Sequence, residues 1–175
     1  MKTGALRWLW LSVLIIVLDQ ASKHAVVAAF QLYESVQLLP FFSLTYVHNT
    51  GAAFSFLHDA GGWQRWFFAG IAVAISLGIV VWLKRMPAGE RWNAAALALV
   101  LGGALGNLYD RLMYGYVVDF LDVYADWFRP LLGGNNHFPA FNIADSAICV
   151  GAFMLLVDSF RKKPEASASA SVSKQ

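Results

Sequence analysis

The sequence predicts an all-α polytopic membrane protein: four transmembrane helices with a small extracytoplasmic β-sheet, or cradle, and a short interfacial helix. Three observations predict it. Apolar residues fall into four blocks, each near the ~20 residues that cross a ~30 Å hydrocarbon core. Basic residues gather in alternate connecting segments. The other connections contain period-two alternation, the mark of half-buried strands. With 58% of its 175 residues hydrophobic and 14% charged, the chain lies far from the average soluble domain.

The first block runs from Trp8 to Ala29. Lys2 and Arg7 precede it as they would in a secretory leader, but Asp19 and Gln20 follow where a small-residue cleavage site would stand, and three more blocks lie downstream. It is read as a retained helix. The others are Trp66 to Leu83, Trp92 to Leu108 and Ile143 to Phe160.

Lys2 and Arg7, then Lys84, Arg85 and Arg91, then Arg161, Lys162 and Lys163 mark one side of the membrane as cytoplasmic. The segments near Phe30 to Arg65 and Asp110 to Phe141 then face outward. The net charge of +2 reflects this sidedness and not a nucleic-acid surface. In the first outer segment Phe42 to Val47 alternates apolar and polar residues, and Val36 to Leu38 can pair with it. Ala52 to Leu57 has the composition of an interfacial helix. In the second, Tyr116 to Tyr124 is strand-like, and a sheet shared by the two segments is expected.

Residues 1–163 are expected to form a single membrane-embedded domain, and the Ala/Ser-rich 164–175 a disordered tail. A lone cysteine, Cys149, excludes an intrachain disulfide and is expected as a small buried hydrophobe. No internal repeat supports a transporter built from inverted halves. The four histidines lack metal-binding spacing and are read as ordinary surface or interfacial histidines.

Asp119 and Asp145 are the residues hardest to place as structure. Asp119 follows two valines inside an apolar strand, and Asp145 precedes an uninterrupted apolar run; a carboxylate there is expensive unless paired, hydrated or protonated. Asn142 and Asp145 have the spacing of an N-cap and an N3 acid, so capping explains part of Asp145. Both map to the outer face. Two close carboxyl groups share a proton, which suits one as base and the other as acid in aspartic peptide hydrolysis; a proton relay in a small transporter or channel ranks slightly below it. The helix terminus favours charge on Asp145, so the proton is expected mainly on Asp119.

Gly103, Asn107 and Arg111 recur every fourth residue on one helical face, and Gly102 and Gly106 form a small-xxx-small pair that suits close packing. Asp19 and Lys23 are spaced as an intrahelical ion pair. A serine/lysine hydrolase is disfavoured, because Ser22 is adjacent to Lys23 and would not face it. Asn49-Thr50-Gly51 reads as a turn.

Five blocks together resemble lipoprotein signal peptidase (signal peptidase II), a bacterial membrane aspartic peptidase family: Asp19-x-x-x-Lys23, Asn49 to Phe54, Gly103-x-x-Gly106-Asn107-x-x-Asp110-Arg111, Val117 to Phe120, and Phe141-Asn142-x-Ala144-Asp145. The resemblance covers about Leu6 to Phe160. It implies Asp119 and Asp145 as the catalytic pair, with Asn49, Gly51, Asn107, Arg111 and Asn142 around them and Asp19 and Lys23 on the adjoining helix. It implies a prolipoprotein substrate with a diacylglyceryl-modified cysteine, cut on the amino side of that cysteine in the bacterial cytoplasmic (inner) membrane, and sensitivity to globomycin-type inhibitors. By the same resemblance no metal or cofactor is expected. Asp126 to His137 departs from the pattern as a surface insertion.

Overall fold

The computed structural model describes residues 4–51 and 62–161. The expected interfacial segment and the C-terminal tail lie outside them. A 3-10 turn at Leu6–Trp8 leads into helix α1, Leu9–Ala29. Strands β1, Ser35–Leu39, and β2, Phe42–Asn49, precede helices α2, Gln64–Arg85, and α3, Arg91–Met113. Strand β3, Val117–Val123, and helix α4, Ile143–Arg161, complete the order. All four helices are long and apolar enough to cross a membrane.

The third span is the axle. Its apolar window is 61% buried against 22%, 22% and 17% for the others, although its mean hydropathy, 1.2, is the lowest. Hydrophobicity therefore does not choose the centre. In lipid, association rewards close approach instead, and α3 carries the small residues that permit it. A Cβ on Gly102 would strike Ser12 and Ile15 of α1, and one on Gly103 would strike the Ala144 carbonyl and Ile148 of α4. The fourth span offers Gly151 to Ala96 and Val100 in return. At the end opposite the sheet, Ile79, Leu83, Met86, Leu97 and Leu101 form an apolar cluster with Ala5 and Ala94.

The sheet has order β1-β2-β3, antiparallel throughout. Val36 pairs with Leu44 and Gln37 with Ser43, as the alternation predicted, and β2 continues onto β3 through Val47 with Asp119 and Asn49 with Val117. Tyr46, Val118 and Phe120 seat the sheet on Val26 of α1, beside Phe30 and Ile143. This seating brings β3 to the first turn of α4.

Cys149 is a correction. It is exposed on α4, beside the exposed Val150 and Phe153. The expectation of burial assumed water outside; a span facing lipid gains nothing by hiding a small apolar group.

Candidate active site

Asp119 lies on β3 and is 2% exposed. Asn49 Nδ2 donates to its Oδ2 at 2.9 Å, and Asn142 Nδ2 donates to its Oδ1 at 2.7 Å. The Asn49-Thr50-Gly51 turn explains the first contact. Gly51 N donates to Asn49 Oδ1 at 3.0 Å, which pins the amide oxygen inside the turn and leaves its nitrogen to face Asp119.

Asn142 and Asp145 form a reciprocal cap on α4. Asp145 N donates to Asn142 Oδ1 at 2.9 Å, and Asn142 N donates to Asp145 Oδ2 at 3.3 Å. Ala144 N, the next orphan amide, donates to Asp19 Oδ1 at 3.0 Å. With its oxygen engaged by the helix, Asn142 must turn its nitrogen towards Asp119. Asn142 thus donates to both acids, its side chain to Asp119 and its backbone N–H to Asp145.

The orientation of Asn107 follows from a group that can only donate. Lys23 Nζ bonds Asp19 Oδ2 at 2.7 Å, Asp110 Oδ2 at 2.9 Å and Asn107 Oδ1 at 3.0 Å, using all three of its donors. Asn142 Nδ2 reaches the same Asn107 oxygen at 3.1 Å. Asn107 Nδ2 is therefore directed at Asp145 Oδ1, 2.7 Å away. Arg111 donates to the carbonyl of Gly51 at 3.1 Å and that of Asn107 at 3.4 Å, with its guanidinium 5.4 Å from the Phe68 ring centre.

Every residue singled out by the sequence is therefore brought together: Asp119, Asp145, Asn49, Gly51, Asn107, Arg111 and Asn142 around the acids, with Asp19 and Lys23 directly behind. Burial, and then the neighbouring Asp145, push the Asp119 carboxyl up from 3.8 to about 7, against the opposing pull of the Asn49 and Asn142 amides. Among the described residues no group of three or more histidine, cysteine or acidic side chains could hold a metal ion.

A family profile described as Signal peptidase (SPase) II matches residues 11–161. The chain belongs to the signal peptidase II family. A lipoprotein signal peptidase of Alteromonas mediterranea is 56% identical over 160 residues, covering 91% of this chain and 83% of that one. Another, from Pseudoalteromonas translucida, is 58% identical over 159 residues, covering 91% and 90%. A solved bacterial membrane enzyme, determined by the in meso method at 2.3 Å resolution, superposes with a TM-score of 0.79 at 28% identity, covering 94% of this chain and 96% of that one. A signal peptidase II is a multi-pass membrane protease, and the transporter expectation is left without support.

Two members of the surrounding network have no site role in the sequence reading, although Asp110 stands in its third block. Asp110, fully buried, accepts from Lys23, from Gln20 Nε2 at 2.8 Å and from Val118 N at 3.1 Å. Through that last bond it holds the start of β3. Its signal was present: a carboxylate three residues after Asn107 in an apolar helix. Gln20 Nε2 also reaches Asp19 at 3.1 Å, but a glutamine beside an aspartate carries no comparable signal.

Proposed function

We propose that this protein is an aspartic endopeptidase that removes the signal peptide from diacylglyceryl-modified prolipoproteins, cutting on the amino side of the lipidated cysteine. Family membership supplies the substrate class and the removal of a signal peptide. The observation that carries the aspartic chemistry is that Asn142 donates to both acids, from its side-chain Nδ2 to Asp119 and from its backbone N–H to Asp145.

In this reading Asp145 is the initial base. The cap gives its carboxylate the Asn142 amide N–H and the favourable end of the helix dipole, and Asn107 adds another donor. Asp119, raised to about 7, is the proton carrier. Water loses a proton to Asp145 as its oxygen attacks the scissile carbonyl. The amide nitrogen takes the Asp119 proton as the C–N bond breaks. Arg111 and the Gly51 turn form the rim against which the peptide backbone would lie.

The basic residues favour both termini in the cytoplasm and the sheet and acid pair at the outer face. Family membership favours a bacterial inner membrane, and the packing of the spans around α3 a single membrane-embedded domain. Membrane lipids and globomycin-type inhibitors are the further ligands of this reading. Purified protein should shorten a lipid-modified precursor and leave its unlipidated counterpart intact; equal cleavage of both would remove the lipid requirement. Isotope-edited infrared spectra test the division of labour. A protonated-carboxyl band that vanishes in Asp145→Asn and persists in Asp119→Asn would reverse the assignment.

A further inference from the structure

The segment between β3 and α4 is a built loop whose apolar side chains point the wrong way for water. Ala125 N bonds Asn136 O at 2.9 Å, closing its base. Inside, Leu131 N and Leu132 N both bond Phe128 O at 2.9 Å, and Gly134 N bonds Arg129 O at 2.8 Å. Gly133 and Gly134 supply the positive φ angles, 62° and 95°, that the reversal needs. His137 Nδ1 lies 2.9 Å from Asp122 Oδ1 and fastens the returning chain to β3.

On this ordered frame Phe128 and Leu132 are half-buried, whereas Trp127 and Leu131, four residues apart, are 66% and 72% exposed. The 126–137 segment has one acidic and one basic residue, Asp126 and Arg129, which pair with each other at 3.1 Å. Its formal charge is zero with His137 neutral. A hydrogen-bonded tip with no net charge and an exposed Trp127 and Leu131 offers little to steer a charged protein partner, and the pairing of Asp126 with Arg129 lowers the cost of approaching lipid.

The surface beside it has the same character. Tyr124 N bonds Phe41 O at 3.0 Å, joining the base of the loop to the β1–β2 turn. Phe41, Leu38 and Val36 are exposed there, and the exposed Leu32 and Tyr33 continue the band back to Val27 on the lipid side of α1. Exposed apolar side chains thus recur from the end of the first span to the distal end of the sheet, with the exposed Gln31, Glu34 and Gln37 among them. Trp side chains favour the boundary between hydrocarbon and headgroups.

We propose that Trp127 and Leu131 insert into the lipid headgroup boundary and anchor the distal end of the sheet on the bilayer. The sheet is then held at two ends, by α1 and α4 beside the acids and by lipid beyond them. The anchor fixes the tilt of β3, and with it the height of Asp119 relative to the membrane.

The test places a nitroxide at position 127, 131 or 135 in a Cys149→Ala background, in vesicles of phosphatidylethanolamine and phosphatidylglycerol containing no other protein. Retained precursor cleavage verifies that each labelled protein is folded. The expected result is that labels replacing Trp127 and Leu131 are relaxed more by oxygen than by a water-soluble nickel chelate, and that a label replacing the exposed Asn135 shows the reverse. Nickel relaxation dominating at 127 and 131 would overturn the proposal. So would shielding of those two sites that arises only when other membrane proteins are added, which would make the surface a protein interface.

Discussion

Two groups of buried acids sit back to back in this molecule, and they are treated in opposite ways. Asp19 and Asp110 share a cation: Lys23 contacts both at under 3 Å. Asp119 and Asp145 are instead held by the amides of Asn49, Asn142 and Asn107, while Arg111 donates to backbone carbonyls. An ammonium sets a full opposite charge beside its neighbours. Neutral amides favour the ionised carboxyl without supplying a charge: at Asp119 the pull of Asn49 and Asn142 is outweighed by burial and by Asp145, which together push that group up to about 7.

The largest effect expected from this contrast is kinetic. Asp119→Asn and Asp145→Asn should each reduce precursor cleavage by roughly 10⁴-fold or more, because residues that act as a unit fail together. Both proteins should still insert and fold, since neither change removes apolar area from a span. Turnover near the wild-type rate by either purified variant would take that aspartate out of the chemistry.

Lys23→Met should separate the two groups by stability. It leaves Asp19 and Asp110 buried without their cation, a loss of about 3–5 kcal/mol for breaking a buried pair. Unfolding followed by circular dichroism in detergent checks this. A variant as stable as the wild type would erase the distinction drawn above.

A smaller effect is carried by pH. Asp119 titrates near 7 when folded and near 3.8 when unfolded, so between those values the folded state holds the extra proton. Its contribution therefore favours folding at acidic pH and is lost as pH rises through about 7. Asp119→Asn should remove this component, giving a melting temperature that falls less steeply from pH 4 to 7 than that of the wild type. Parallel curves would refute it.

The smallest effect should come from Asn49→Ala. Losing one donor to the ionised form pushes the Asp119 carboxyl further up, moving the basic limb of kcat/KM to higher pH, although the limb belongs to the coupled pair. A limb unmoved or displaced downward would show that Asn49 positions the turn without tuning the acid.

Much of this arrangement was legible in the sequence because membrane chains advertise their exceptions. Asp119 between Val118 and Phe120, and Asp145 ahead of an apolar helix, stand out where charge is costly. The 3.6-residue period placed Asn107 and Arg111 on one face, and the Asn49 turn followed from its local chemistry. Asp110 stands in the third block but its role is not legible there, because its partners come from α1 and β3 and only the folded packing shows it paired with Lys23. Cys149 was misplaced because the usual burial of a cysteine, the ground of that expectation, reflects a water-facing surface, whereas this face of α4 lies on a lipid-facing span. Register within the sheet likewise depended on tertiary seating, including the irregularity between Leu44 and Val47.

The bare faces of α3 have a dimensional consequence. Gly103 lies against the Ala144 carbonyl, and a methyl group on Gly106 would meet the Asp19 carboxylate at 2.7 Å. Because Asp145 follows Ala144 directly, the distance across which Asn107 reaches it is set by the thickness of two backbones with nothing between them. The helix works as a gauge block: one carbon atom added at either glycine is a machining error transmitted to the acid one residue away.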